Sequence, residues 1–219
     1  MIILQDVKNN EDITVLIQSA DRSLCALGFT EHSFAHVGKV GDTAAKILTQ
    51  LKFPKRDVEL VEIAAYLHDI GNMINRVDHS QSGALIAFRL LREMGMEMQE
   101  VADIATAIGN HDEGFGVPVS HLAAALILAD KSDVRRSRVR NTDITNYDIH
   151  DRVNYSVRAA QLVFSDDNKK IILMLDIDTK YSSIMDYFEI FMERMIMCRK
   201  AAEYLGLEFK MIINGQKFL

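Results

Sequence analysis

Through roughly the first 160 residues, apolar side chains recur every three or four positions, and only two prolines occur in the 219-residue chain. Residues at that spacing share one helical face, so the chain is committed to amphipathic helices packed on a common core. The positions of Ile13, Leu16, Ile17, Leu24 and Leu27 predict a helix from about Glu11 to Gly28. Thr30 is placed to cap a second, which carries His36, Val40, Ala44, Ile47, Leu48 and Leu51 on one face until Pro54. A third runs from about Arg56 to Ile70 and stops at Gly71. Further helices are predicted near Asp78–Gly95, Met98–Gly109, His121–Arg138 and Asp148–Ala160, with a turn-rich stretch at 113–120.

After about residue 160 the period changes. Gln161–Ser165, the turn-like Asp166-Asp167-Asn168 and the apolar run Lys170–Ile177 read as a β-hairpin. Ser183 and Asp186 form the pattern of a capping box ahead of a helix bearing Ile184, Phe188, Phe191, Met195 and Cys198, and Glu208–Ile213 reads as a further strand. The expected architecture is mainly α: a helical domain over 1–160, followed by a small α+β appendage over 161–219 made of hairpin, helix and strand.

The net charge of −6 gives no general attraction to nucleic acid or to an anionic membrane, so a phosphate-bearing ligand needs a local site. Cys25 and Cys198 stand far apart, without the spacing of a zinc cluster or disulfide framework. The start MIILQDVKNNED lacks the basic and apolar regions of a secretory signal, and the longest apolar run, Ala123–Ala129, is too short to span a bilayer. These features lead to the expectation of a cytoplasmic protein without nucleic-acid or membrane partners.

Candidate metal ligands follow one another along the chain: His36 within a helix, His68-Asp69 at the end of the next, His79 at the start of another, His111-Asp112 at a helix–loop boundary, and Asp130 within LILADKSD. Imidazoles and carboxylates converging from rigid elements are what a divalent cation needs to act on a phosphoester. Because His68-Asp69 ends a helix near Gly71, where the backbone turns, its two neighbouring side chains can reach one site. An ionised Asp130 among Leu126, Ile127, Leu128 and Ala129 is costly to bury without a partner, and a metal is a suitable one; an exposed carboxylate on a helix face is the alternative. Next to it, Lys131, Arg135 and Arg138 fall at spacings of four and three, with Arg136 and Arg140 widening the basic patch. They are read either as phosphate contacts or as a solvated helix end favoured by the macrodipole.

The order His36, His68-Asp69, Asp130, with the sequence AAYLHDIG, resembles the H…HD…D signature of the HD-domain phosphohydrolases over roughly residues 30–140. That resemblance implies an all-helical fold whose four signature residues bind a divalent metal. In binuclear members the HD aspartate bridges two ions and extra histidines complete the second site, positions that His79 and His111 fill here. The implied metal set is His36, His68, Asp69, His79, His111 and Asp130, holding two divalent ions, iron or manganese among the candidates. Asp69 and Lys131 are the candidate catalytic residues, and Lys131, Arg135 and Arg138 the candidate substrate contacts. Among subtypes, the chain is similar in part to HD-GYP phosphodiesterases through His79-Ser80-Gln81-Ser82-Gly83, His111-Asp112-Glu113 and Gly114-Phe115-Gly116-Val117-Pro118. Val117 replaces the tyrosine there, Asp112 the second histidine, and Asn72 the lysine after HDIG. The general ligand order is also similar to that of the HD enzymes that split diadenosine tetraphosphate.

The expected function is hydrolysis of a nucleotide or related phosphoester by a metal-activated water. The alternative is a non-catalytic nucleotide-binding module that signals through the appendage. His32 is left outside the site, His121 and His150 are read as surface or capping residues, and His150-Asp151 as a fortuitous repeat of the HD pair. Asp112 is open between ligand, partner of His111 and turn cap. Met185, Met192, Met195 and Met197 suit a core or a homodimer interface rather than a soft-metal site.

Overall fold

The computed structural model describes residues 1–218. The amphipathic segments form α1 (Leu4–Lys8), α2 (Glu11–Ala26), α3 (Phe34–Gln50), α4 (Lys55–Leu67), α5 (His79–Glu93), α6 (Met98–Gly109) and α7 (His121–Lys131). A short 3-10 turn, Ile70–Met73, follows α4. α7 is the axis of the bundle: Leu122 through Ala129 are all buried, as expected for a helix that is apolar all round. α3, α4 and α6 pack against it from one part of the chain, and α9 (Ile184–Tyr204) from the other. The fold is mainly α with a small C-terminal α+β part, and the buried apolar residues of both form one continuous cluster.

α8 (Ile149–Ser156) precedes a four-stranded sheet in the order β1 (Val157–Phe164), β2 (Lys170–Ile177), β3 (Glu208–Ile213) and β4 (Gln216–Lys217). β1 and β2 are the antiparallel hairpin, turned at Asn168, whose φ of 55° is left-handed. β3 pairs parallel to β2, which α9 makes possible by crossing between them. The capping box is present: the Ser183 hydroxyl accepts from Asp186 N–H, and the Asp186 carboxylate accepts from Ser183 N–H.

Four expectations about elements are corrected. α3 is capped by Ser33, not Thr30, because the helix begins only at Phe34, where the Ser33 hydroxyl accepts from Ala35 N–H. The helix predicted to reach Ala160 stops at Ser156, because Val157–Phe164 pairs with β2 and places a bulge at Arg158. The helix predicted to reach Arg138 ends at Lys131: the Ser132 hydroxyl donates to the Ala129 carbonyl, and Asp133 turns inward onto His36. Arg138 then folds back, donating to the carbonyls of Asp133 and Glu31 at 2.7 and 2.8 Å. Lys131, Arg135 and Arg138 therefore do not share a helical face. α1 and β4 carry too few residues for a periodic signal and were not anticipated.

The segment bearing His68-Asp69 meets the one bearing His79 through two glycines. A β-carbon on Gly71 would lie 2.0 Å from the His79 carbonyl oxygen and 2.5 Å from Gly83 N, and one on Gly83 would lie 3.2 Å from the His68 carbonyl. HDIG and the H-x-x-x-G of α5 are thus two halves of one close backbone contact. Gly71→Ala is expected to cost about 3 kcal/mol or more by overpacking, and to lower bound metal as well. Urea denaturation with metal analysis of the folded fraction checks both; unchanged stability contradicts the contact's importance.

Candidate metal centre

Each candidate ligand sits where a helix begins or ends. His36 is in the first turn of α3, His68 caps α4 at its C-terminus, Asp69 opens the 3-10 turn, His79 begins α5, His111 follows α6, and Asp130 is in the last turn of α7. Backbone carbonyls at such ends have no helical partner and can instead fix side chains. The Nδ1–H of His68 donates to the Ala65 carbonyl at 2.7 Å, that of His111 to Ile108 at 2.6 Å, and that of His79 to Arg76 at 3.1 Å. A carbonyl only accepts, so each bond puts a proton on Nδ1 and turns Nε2 inward, as the atom that meets an ion once any proton on it is released. His36 is held in the same sense by Asp133, whose Oδ2 lies 2.8 Å from Nδ1.

The four Nε2 atoms converge on two carboxylates. Asp69 Oδ2 is 3.2 Å from His68 Nε2 and 3.6 Å from His36 Nε2, while its Oδ1 is 3.5 Å from His79 Nε2 and 4.0 Å from His111 Nε2. Asp130 Oδ1 is 3.3 Å from His36 Nε2 and 3.7 Å from His68 Nε2. The Nε2 atoms of His36 and His68 are buried and make no hydrogen bond among the described residues. Those of His79 and His111 lie 3.2 Å apart, two lone pairs aimed at each other. Orphaned donor atoms around ionised carboxylates leave a demand that a cation meets, and this donor set fits a divalent metal. His36, His68 and Asp130 form one group able to hold an ion, and His68, Asp69 and His111 another.

Electrostatics agree with the geometry. Burial works against ionised Asp69, but His68 outweighs it, and burial works against Asp130, but Lys131, His36 and His68 outweigh it; both stay well below the usual carboxylate range. Burial holds His111 and His79 below the ordinary imidazole value, keeping them neutral donors. Burial also lowers His68, but Asp69 and Asp130 together lift it to about 10 in the ion-free protein. Asn72 steadies Asp69, its amide donating to the Asp69 carbonyl and to Oδ1, both at 2.9 Å.

A cleft of about 640 Å³ adjoins the centre through His32, Arg76 and Glu113, which stand against His36, His79 and Lys131. Its inner wall includes His32, Arg76, Glu113, Arg138 and Arg194, and its outer end Asp148, His150, Asp151, Glu189 and Glu193. Arg76 donates to His79 Nε2 at 3.2 Å, and its guanidinium carbon lies 5.7 Å over the Phe29 ring. Lys131, buried, is 2.8 Å from Asp130 Oδ2 and pairs with Glu113, which Arg194 of α9 binds at 2.7 Å from the other side. Burial lowers Lys131 but Asp130 and Glu113 prevail, so it is held protonated. Asp112 Oδ1 stands 3.9 Å from His79 Nε2, Arg76 and Lys131 alike.

The structure therefore brings together His36, His68, Asp69, His79, His111, Asp130 and Lys131. Arg138 lines the cleft, but Arg135 does not; it pairs with Asp133 and Glu31 in a separate groove. His32 belongs to the cleft wall, with its ring 5.3 Å from His36, and His150 belongs to the outer end. His121 lies away from the cleft, bonded to Asp57 at 2.8 Å and stacked on Phe53. Sequence reasoning missed Asp133, Arg76 and Arg194. Asp133 lies three residues after Asp130 and Arg76 three before His79, a spacing that could have flagged them, whereas nothing local marks Arg194.

Residues 33–135 match the family model of the HD domain. That segment is thus an HD domain, a fold shared by a superfamily of metal-dependent phosphohydrolases, and all of the converging side chains lie within it. An uncharacterized protein of Methanocaldococcus jannaschii is 26% identical over 192 residues, spanning 76% of this chain and 73% of its own length. A crystal structure described as a predicted HD superfamily hydrolase, from an uncultured Thermotogales bacterium, is 29% identical over 57% of this chain and 67% of that one, with a TM-score of 0.46.

Two outcomes are expected at this centre. Asp133→Asn keeps the shape but removes the charge behind His36, and is expected to weaken metal binding by about ten- to a hundredfold, read by competition with a chelator; unaltered affinity refutes the role. Because His68 is protonated below about pH 10 in the ion-free protein, ion entry must release that proton, and affinity must rise with pH across the neutral range. Calorimetry in buffers of different ionisation enthalpy measures the release, and a zero value contradicts it.

Proposed function

We propose that this chain hydrolyses a nucleotide or a related phosphoester at a pair of divalent ions. The observation that carries the reading is Asp69, with one carboxylate oxygen toward His36 and His68 and the other toward His79 and His111. On this reading His36, His68, Asp69 and Asp130 hold one ion, and Asp69, His79 and His111 a second. When bound, such ions would make a water nucleophilic and neutralise charge on phosphoryl oxygens. Iron or manganese suits a mixed histidine and aspartate set.

The chain's own groups divide the remaining work. Lys131, fixed between Asp130 and Glu113, is a permanent cation that offsets the carboxylates rather than a proton carrier. Arg76, Arg138 and Arg194 make the inner wall cationic and suited to phosphate, while the acids at the outer end accept hydrogen bonds from a donor-bearing leaving group such as a nucleobase or ribose. Arg76 also stands against His79 Nε2, so it must move aside for an ion to use that atom. Asn72 holds Asp69 through two hydrogen bonds, which gives the residue in the lysine position a part in an intact centre and weighs against the binding-only alternative.

Metal-reconstituted protein, with its ion content verified, is expected to release product from at least one of a panel of nucleoside monophosphates, dinucleoside polyphosphates and cyclic dinucleotides. Asp69→Ala is expected to reduce that rate to background. Binding without turnover across the panel would reject the enzyme in favour of the signalling module.

A further inference from the structure

Behind the metal centre, a groove runs between α3 and the edge strand β1. Its two lobes, about 440 and 520 Å³, share Lys39, Ala160 and Gln161. The smaller lobe is lined by Lys39, Arg135, Arg136, Ser137 and Arg158, with no acidic side chain in its described lining. Four cations around one concavity repel each other, and in a chain of net charge −6 the clustering needs a cause.

Carboxylates outside the lobe hold three of them. Asp133 Oδ1 binds Lys39 at 2.9 Å and Arg135 at 3.0 Å, Glu31 binds Arg135 at 3.2 Å, and Asp178 binds Arg158 at 2.7 Å. Arg136 is held otherwise. Its Nε donates to the Tyr155 carbonyl at 2.6 Å, and its guanidinium carbon lies 4.3 Å from the centre of the Tyr155 ring and 5.3 Å from that of Tyr181. Its Nη2 is buried and makes no hydrogen bond among the described residues, the Asp178 carboxylate standing 3.8 Å away. A guanidinium fixed on aromatic faces, its side chain 38% exposed and lining the lobe with three other cations, is suited to an oxyanion.

We propose that this lobe binds a small phosphate oxyanion, either inorganic phosphate or the phosphate of an ester, at a site separate from the metal centre. The larger lobe, with Ile47, Leu162 and Phe164, can take the apolar part of an ester. Asp133 connects the two sites, since its Oδ1 accepts from Lys39 and Arg135 and its Oδ2 from His36. An anion in the lobe competes with Asp133 for Lys39 and Arg135. The carboxylate, less compensated, then makes His36 a stronger donor, so the anion tightens the hold on an ion. This connection rests on the proposed metal site; binding in the lobe does not.

Calorimetric titration of the full, metal-loaded protein tests the site with two probes, inorganic phosphate and phenylphosphonate, a non-hydrolysable stand-in for a phosphomonoester. Arg136→Ser and Arg158→Glu are each expected to weaken phosphate binding by about tenfold. Lys200→Glu, the same charge change on the exposed face of α9, should leave it unchanged. Tighter phenylphosphonate in the wild type identifies an ester as the ligand, and tighter phosphate the free anion. Identical isotherms in wild type and both groove variants would overturn the site. For the connection, phosphate should slow metal loss to a chelator in the wild type and do so less in Arg158→Glu; equal slowing in both would overturn it. Neither readout needs turnover, so failure here is distinct from failure of the proposed hydrolysis.

Discussion

Everything in the helical part of this protein answers to one electrostatic demand. Asp69, buried, and Asp130, partly buried, are ionised carboxylates faced by four imidazoles, of which His79 and His111 are held neutral and His68 holds a proton while no ion is bound. Such a group is costly to bury alone, because burial strips the carboxylates of water and the neutral imidazoles of His79 and His111 bring no charge to offset them. Lys131 offsets part of the charge on Asp130, and a proton on His68 can offset part of that on Asp69. A divalent cation answers both carboxylates and the orphaned nitrogens at once.

The scaffold meets that demand with helix ends. Ala65, Arg76 and Ile108 each present a carbonyl that fixes an imidazole, so the terminal carbonyls of helices and turns set the tautomers of the centre. The close approach of Gly71 and Gly83 brings the two halves of the ligand set within reach, and the bend after Lys131 turns Asp133 inward behind His36. α9 arrives from the C-terminal part to place Arg194 on Glu113, which joins that part to the cleft wall through Lys131.

Much of this was legible in the residues themselves. Helical periodicity located α2 to α6 closely, since each buries one stripe, and HDIG, the H-x-x-x-G and the apolar setting of Asp130 marked the side chains that converge at the candidate centre. What periodicity could not reveal was where tertiary contacts cut a helix short. The basic run after Asp130 continues a helical spacing, yet Asp133 gains more from His36 and the cations around it than from another helical turn, and Arg135 and Arg138 diverge as a result. β1 likewise begins inside a segment with helical spacing because β2 offers it a ladder. Arg194 was invisible for a different reason: its partner lies 81 residues away, and only the packing of α9 on α7 brings them together.

Anomalous diffraction from crystals of protein loaded with manganese tests the central claim most directly. The account predicts a peak within coordination distance of His36 Nε2, His68 Nε2, Asp69 and Asp130, with a second at the Asp69 Oδ1 side near His79 and His111 once Arg76 has swung away. A manganese-saturated crystal with no peak between these side chains, and Arg76 or ordered water in their midst, would contradict it.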